Sequence, residues 1–202
     1  MSQELNVSYR QHKEKIVQRL SKFEELPARN YFNELQFCLL TPQSNAHRCW
    51  EAVQEINKLN KQTPSVIREI LRTRTRFHNN KTRYLLEARK NWPSIKQFLT
   101  NTDRKSIRNN LAEEILGMGY KEAGHFLRNI GKSNNQIAIL DRHILRNLEQ
   151  LKVITKKDLI IKNAKHYKQI EDKFLAFSKQ VNIPIDHLDL LFWSKETGEV
   201  FK

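Results

Sequence analysis

A lysine placed just beyond a two-glycine turn, with an aspartate twenty residues later at the start of another helix, is the part of this chain best suited to chemistry. The first run reads Leu116-Gly117-Met118-Gly119-Tyr120-Lys121 and the second Ala138-Ile139-Leu140-Asp141-Arg142-His143-Ile144-Leu145-Arg146. A helix ending at Leu116 exposes unpaired carbonyls, and one starting near Tyr120 exposes unpaired amides. Gly117 and Gly119 let the chain reverse within four residues and put no side chain in front of those amides. Amides and helix dipole together suit a phosphate, held without reference to base sequence. Lys121 falls in the first turn of the following helix, where the positive dipole end disfavours an ammonium and so favours a nucleophilic amine. A plain helix cap followed by a solvated lysine would read the same way, and it is the lysine's place after the hairpin that sets it apart. Asp141 is expected to be an N-cap. A purely structural cap is the default role for such an aspartate.

The elements that must position these groups are helical. Only five glycines and five prolines interrupt apolar positions recurring every three to four residues, so the expected fold class is all-α. Ile16, Leu20, Phe23 and Leu26 line a first helix that stops before Pro27, and Leu35, Leu39 and Leu40 lie on a second that is interrupted at Pro42. Trp50, Val53, Ile56 and Leu59 mark a third. Thr63 before Pro64 is an N-cap with proline at the first helical position. Further helices are expected over 79–90, 92–100, 104–116, 120–131, 142–150, 156–178 and 185–193, the hairpin motif occupying about 108–131. No linker, repeat or low-complexity tract divides residues 1–202, which are expected to form a single unit of two closely packed helical lobes.

The charge says what the partner should be. Thirty-six Lys+Arg against 22 Asp+Glu give a net charge of +14, an electrostatic footprint suited to a phosphate backbone. A generally charged surface would give the same surplus. No apolar run approaches the roughly 20 residues of a membrane span, and the N-terminus has no apolar signal core, so the expected location is the cytoplasm and no membrane partner is expected. Two cysteines, Cys38 and Cys49, are too few for a disulfide framework or a four-cysteine zinc or iron-sulfur site. His47, His78, His125 and His166 show no ligand spacing, so no metal and no cofactor are expected.

The hairpin, Lys121, the helix over Ala123 to Ile130 and the Asp-x-His-Ile-x-Arg run together resemble the helix-hairpin-helix DNA glycosylase superfamily, which implies its two-lobed all-α fold. In bifunctional relatives the lysine matching Lys121 attacks C1′ of the nucleotide, expels the base and forms a Schiff base, after which β-elimination nicks the strand. The resemblance gives Asp141 a second role, stabilising oxocarbenium character and orienting or deprotonating the nucleophile.

Phe37-Cys38-Leu39-Leu40-Thr41-Pro42-Gln43-Ser44-Asn45-Ala46, the run Arg76 to Tyr84 and the tail Asp189-Leu190-Leu191-Phe192-Trp193 are similar to the short archaeal and bacterial 8-oxoguanine DNA glycosylase/AP lyase class. That likeness covers most of the chain and implies a prokaryotic, nucleoid-associated enzyme, expected to act as a monomer on damaged double-stranded DNA. It departs from the class at Pro42, where alanine is more usual, and at Lys132-Ser133-Asn134-Asn135-Gln136, which is slightly expanded.

By this likeness Gln43 fills the gap left by an extruded base, while a local cap is its bland role. Phe77 and Trp193 offer faces for stacking on the base, or are simply core. His143 and Arg146 contact the strand near the lesion. Lys202 and its terminal carboxylate recognise the damaged guanine, the run Lys195 to Glu199 forming a turn that folds the tail back. Arg72, Arg74, Arg76 and Arg83 form a basic block that either supplements phosphate binding or is a solvated face. Two other functions remain open at this level: removal of an oxidised pyrimidine by the same chemistry, and a noncatalytic helix-hairpin-helix DNA-binding module.

Overall fold

The computed structural model describes residues 2–202, which fold into ten α-helices and two short 3-10 turns, without a strand among the described residues. The helices are α1 (Ser2–Glu24), α2 (Tyr31–Leu40), α3 (Ala46–Lys58), α4 (Pro64–Arg72), α5 (His78–Phe98), α6 (Arg104–Glu114), α7 (Tyr120–Asn129), α8 (Arg142–Gln150), α9 (Ala164–Val181) and α10 (Ile185–Thr197). The all-α expectation holds.

The chain divides into two compact units, Pro27–Phe126 and a discontinuous one made of Met1–Leu26 with Leu127–Lys202. Because the unit border falls within α7, the hairpin and Lys121 belong to the continuous unit and Asp141 to the discontinuous one.

In the continuous unit α2 is buried almost all round, from Glu34 to Leu40, as expected of a central helix. Asn45 caps α3 by accepting from the Arg48 N–H, and Thr63 caps α4 through the Val66 N–H ahead of Pro64, as its sequence signature predicts. The helices expected over 79–90 and 92–100 are one continuous helix, α5, with Pro93 inside it. Proline removes one intrahelical hydrogen bond, and here burial of Leu85, Ala88 and Ile95 along one stripe outweighs that loss.

In the discontinuous unit Gly131 packs on the end of α1, where a Cβ would sit 2.6 Å from the Glu24 Cα. Arg128 lies over the Phe23 ring at 5.4 Å and pairs with the buried Asp189 carboxylate at 2.5 Å. Two further expectations need correction here. The helix expected over 156–178 is a 3-10 turn, Lys156–Leu159, followed by a separate α9 capped by Asn163. A capping box starts the short turn, the Thr155 N–H donating to the Asp158 carboxylate at 3.0 Å, and Asp158 also meets His166 and Lys173. The backbone is then extended at Ile160, which ends the turn before Asn163 caps α9. At the other end α10 runs through Thr197, so Lys195–Glu196 are helical and the turn comes only at Gly198, a left-handed cap.

Candidate active site

The hairpin that precedes Lys121 is built in three steps. Helix α6 starts on Asp103, whose carboxylate accepts from the Lys105 and Ser106 N–H groups, and after it the Met118 N–H closes a turn on the Ile115 carbonyl. Met118 is buried beneath the turn, and the fully buried Arg108 of α6 stacks its guanidinium 4.7 Å from the Tyr120 ring. The two glycines then do different work. Gly117 is left-handed (φ +84°), and a Cβ there would stand 2.3 to 2.6 Å from three atoms of the Tyr84 ring. Gly119 has no such backbone need, and its Cβ would approach only the Glu122 carboxylate, at 3.1 Å.

Of the two glycines, only Gly117 has a backbone conformation that calls for glycine. Gly117→Ala combines a left-handed penalty of about 1–2 kcal/mol with a collision against a ring that cannot move aside freely. We expect it to lower the melting temperature by several degrees and to weaken duplex binding, whereas Gly119→Ala stays near wild type in both. Thermal melts and equilibrium titration with duplex DNA check this, and equal effects of the two changes would refute the distinction.

Gly119 is the N-cap of α7, since its carbonyl accepts from the Ala123 N–H at 2.9 Å. Lys121 is thus the second residue of the helix and Glu122 the third. The Glu122 carboxylate reaches back to the Gly119 N–H at 3.2 Å and lies 3.4 Å from Lys121 Nζ, which is half of a capping box. Sequence reasoning missed Glu122, although a glutamate at the third helical position is the recognised signal. Lys121 keeps about a quarter of its side chain exposed, enough for a substrate to reach its amine.

A second lysine in the same unit was also missed. Lys81 lies on the apolar stripe of α5 with Leu85 and Ala88 and is 3 % exposed. Its Nζ donates to the Leu40 carbonyl at 2.6 Å, the Pro42 carbonyl at 2.9 Å and Ser44 Oγ at 2.8 Å. Burial pulls its pKa down to about 8, with the Cys49 sulfur acting against that and Arg76 and Lys121 acting with it. Cys49 donates its thiol to the Leu40 carbonyl, and burial raises its own pKa to about 11. Both cysteines are buried and unbridged, as expected for small apolar residues.

Gln43, exposed and left-handed (φ 55°), projects from the turn that Lys81 holds. Phe77 is likewise left-handed (φ 58°) and 51 % exposed, so it is not core. Arg76 lies 5.3 Å above its ring. The basic block is partly committed within the protein, Arg72 to Glu69 and Arg74 to Glu55 at 2.6 Å.

The carboxylate half of the chemistry is fixed by side chains along the buried segment 137–140. That segment belongs to no helix or sheet, so its backbone groups need partners. The Ala138 N–H donates to the Glu171 carboxylate at 2.9 Å, the Tyr167 hydroxyl donates to the Ala138 carbonyl at 2.7 Å, and the Leu140 N–H donates to that hydroxyl at 3.3 Å. The preceding loop, expanded at Lys132 to Gln136, is pinned as well. Ser133 Oγ and the Asn135 N–H both donate to Asp186, at 2.6 and 3.1 Å. The expansion is thereby absorbed by two consecutive left-handed asparagines, Asn134 and Asn135, without loosening the path to Asp141.

Asp141 is an N-cap, as expected. Its Oδ1 accepts from the His143 and Ile144 N–H groups, both at 2.8 Å, and its Oδ2 accepts from Trp193 Nε1 at 2.9 Å. Trp193 of α10 therefore grips the carboxylate rather than merely packing in the core, and its ring tilts against His143 at 5.8 Å. His143 takes a hydrogen bond from Arg142 on Nε2 at 3.1 Å and faces Glu196 from Nδ1 at 3.2 Å, while Arg146 is exposed. The tail leaves Gly198 and returns to α1, where Arg19 donates to the Val200 carbonyl at 3.3 Å. Phe201 and Lys202 remain half-buried beyond that point.

Comparison with known proteins agrees with this geometry. Residues 15–183 match the profile of the 8-oxoguanine DNA glycosylase family. The chain is 37% identical to an 8-oxoguanine DNA glycosylase/AP lyase of Fusobacterium nucleatum, covering 98% of this chain and 96% of that protein. It is 31% identical to one of Methanocaldococcus jannaschii, over 94% and 91% of the two chains. The crystal structure of the Thermotoga maritima 8-oxoguanine DNA glycosylase superposes with a TM-score of 0.88 at 27% identity, covering 100% of this chain and 98% of that one. The Methanocaldococcus jannaschii glycosylase/lyase solved with a 15mer DNA containing 8-oxoguanine superposes with a TM-score of 0.83 at 32% identity, over 94% and 93%. With the hairpin, the lysine behind it and the capping aspartate in place, the chain belongs to the 8-oxoguanine DNA glycosylase family.

Proposed function

We propose that this protein excises 8-oxoguanine from duplex DNA and then cleaves the strand, with Lys121 as nucleophile and Asp141 as its carboxylate partner. The observation that carries the reading is the partly exposed side chain of Lys121 in the first turn behind the left-handed Gly117 hairpin. The Lys121 amine attacks C1′, the bond from C1′ to the purine nitrogen breaks, and its electron pair leaves with the base. The new secondary ammonium gives up one proton, which the departing base anion takes. The freed nitrogen lone pair then expels the ring oxygen O4′, which is protonated to a hydroxyl by solvent, to leave a protonated imine. Loss of a proton from C2′ breaks the C3′–O bond and nicks the strand. The Asp141 carboxylate supplies the negative charge that the oxocarbenium-like transition state needs. No step of this sequence requires a metal or cofactor.

The hairpin amides and Arg146 hold phosphates, His143 lies against the strand near the lesion, and Gln43 enters the stack. The exposed Phe77 face and the Trp193 ring stack on bases, and Lys202 reads the guanine edge. Damaged double-stranded DNA is the partner, met by a monomer in a prokaryotic cytoplasm. No described helix is long and apolar enough to cross a membrane.

Borohydride trapping on duplexes carrying 8-oxoguanine, thymine glycol, uracil or an abasic site tests the reading, run on the full chain and on a chain lacking Phe201 and Lys202. The full chain should trap on 8-oxoguanine and on the abasic site. The shortened chain should lose about tenfold or more on 8-oxoguanine, the worth of one charge-assisted hydrogen bond, while keeping most of its activity on the abasic site. Preferred trapping on thymine glycol would mark a pyrimidine enzyme, and no trapping on any duplex would mark a noncatalytic binder. Equal loss of both activities on shortening would make the tail a folding element.

A further inference from the structure

We propose that Lys81 is a positioning residue for base extraction, its ammonium fixing the turn from which Gln43 enters the duplex. This rests on the reading of Gln43 given above. The ammonium has three N–H donors, and they meet three acceptors that bracket Gln43 on both sides: the Leu40 and Pro42 carbonyls and Ser44 Oγ. The bracketed residue is left-handed, a conformation that glycine or asparagine adopts readily and glutamine does not. Such a conformation persists only where the surroundings over-determine it. Gln43 is exposed, so its own packing supplies little. The Ser44 N–H closes the turn on the Thr41 carbonyl at 3.0 Å, and the buried lysine beneath holds that closed turn in place.

The same network reaches the second protruding side chain. Ser44 Oγ also accepts from the Arg76 N–H at 2.9 Å, immediately before the left-handed Phe77, whose carbonyl in turn accepts from the Lys81 N–H at 3.0 Å. Two exposed side chains on strained backbone, one amide and one aromatic, are thus tied through Ser44 and Lys81. A lysine retained on the apolar stripe of α5 has a large desolvation cost to offset. Ordinary helix packing would be served as well by methionine.

The test compares Lys81→Met, Gln43→Ala, Ser44→Ala and the double variant Lys81→Met/Gln43→Ala. Single-turnover excision of 8-oxoguanine from duplex DNA is measured for each. The fluorescence of a 2-aminopurine beside the lesion is followed in the Lys121→Gln background, where the base is extruded but not removed. Lys81→Met should slow excision about tenfold to a hundredfold and lose the 2-aminopurine brightening, with duplex affinity changed less than about threefold and cleavage of a preformed abasic site affected less. Because both residues act through one event, the double variant should be no slower than the slower single variant. A normal 2-aminopurine response in Lys81→Met, or losses that multiply in the double variant, would overturn the proposal. Gln43→Ala behaving as wild type would instead defeat the gap-filling reading itself, and the proposal with it. Should Lys81→Met melt below the assay temperature, the half-exposed Ser44→Ala, alone and combined with Gln43→Ala, decides by the same two criteria, its expected slowing being smaller.

Discussion

Replacing Lys121 by glutamine should abolish the borohydride-trapped complex and reduce excision by a factor on the order of 10³ or more, while duplex binding and stability stay close to wild type. Lys121 pairs with Glu122 at 3.4 Å, with a quarter of its side chain exposed, and glutamine keeps most of the stem that packs there. Ion pairs of that kind are worth about 0–1 kcal/mol, so a large change in melting temperature is not expected. The hairpin survives, since Gly117 meets Tyr84 and the Gly119 N–H reaches Glu122 without help from Lys121. A thousandfold loss corresponds to about 4 kcal/mol of transition-state stabilisation, far more than the stability change. An adduct formed at normal yield by the variant would transfer the role of nucleophile to another amine, and Lys81, buried and committed to three acceptors, would be a poor replacement.

Replacing Asp141 by asparagine should cost excision about 10²–10³-fold and, in contrast with Lys121→Gln, should also cost stability. The asparagine oxygen can keep the cap on the His143 and Ile144 N–H groups. Its amide nitrogen then faces Trp193 Nε1, which needs an acceptor. Two donors meeting in a half-buried site cost about 1–3 kcal/mol. Trp193→Phe separates the two effects, because it removes the indole donor yet keeps the carboxylate charge and an aromatic face. Cleavage at a preformed abasic site removes base recognition from the comparison. There, Trp193→Phe should lose stability comparably but retain most of the activity, and Asp141→Asn should lose both. Activity lost by both variants in proportion to their melting temperatures would make Asp141 a structural cap and nothing more.

How much of this was legible beforehand follows from which interactions are local. The hairpin, the place of Lys121, the caps at Thr63 and Asp141 and the all-α class rest on hydrogen bonds closed within four residues, so the residue types alone announce them. The helix boundaries that misled are those where distant packing overrode a local signal. Pro93 reads as a break, yet burial on one stripe carries α5 through it. The run 156–178 has helical periodicity, yet Asp158 is drawn to His166 and Lys173, 8 and 15 residues on, and the backbone is extended at Ile160 before Asn163 starts α9.

Only the tertiary structure decided what surrounds the functional groups. Trp193 meets Asp141 across a sequence separation of 52 residues, and Lys81 meets Leu40 across 41. A single sequence carries no pattern that links such pairs, because each contact depends on how whole helices are placed. The same holds for membership of the units, where α1 joins residues from the C-terminal half rather than its chain neighbours. The chemistry was written in adjacent residues, whereas the constraints that aim it arise from side chains brought in from afar, whose partners are fixed only once the core has packed.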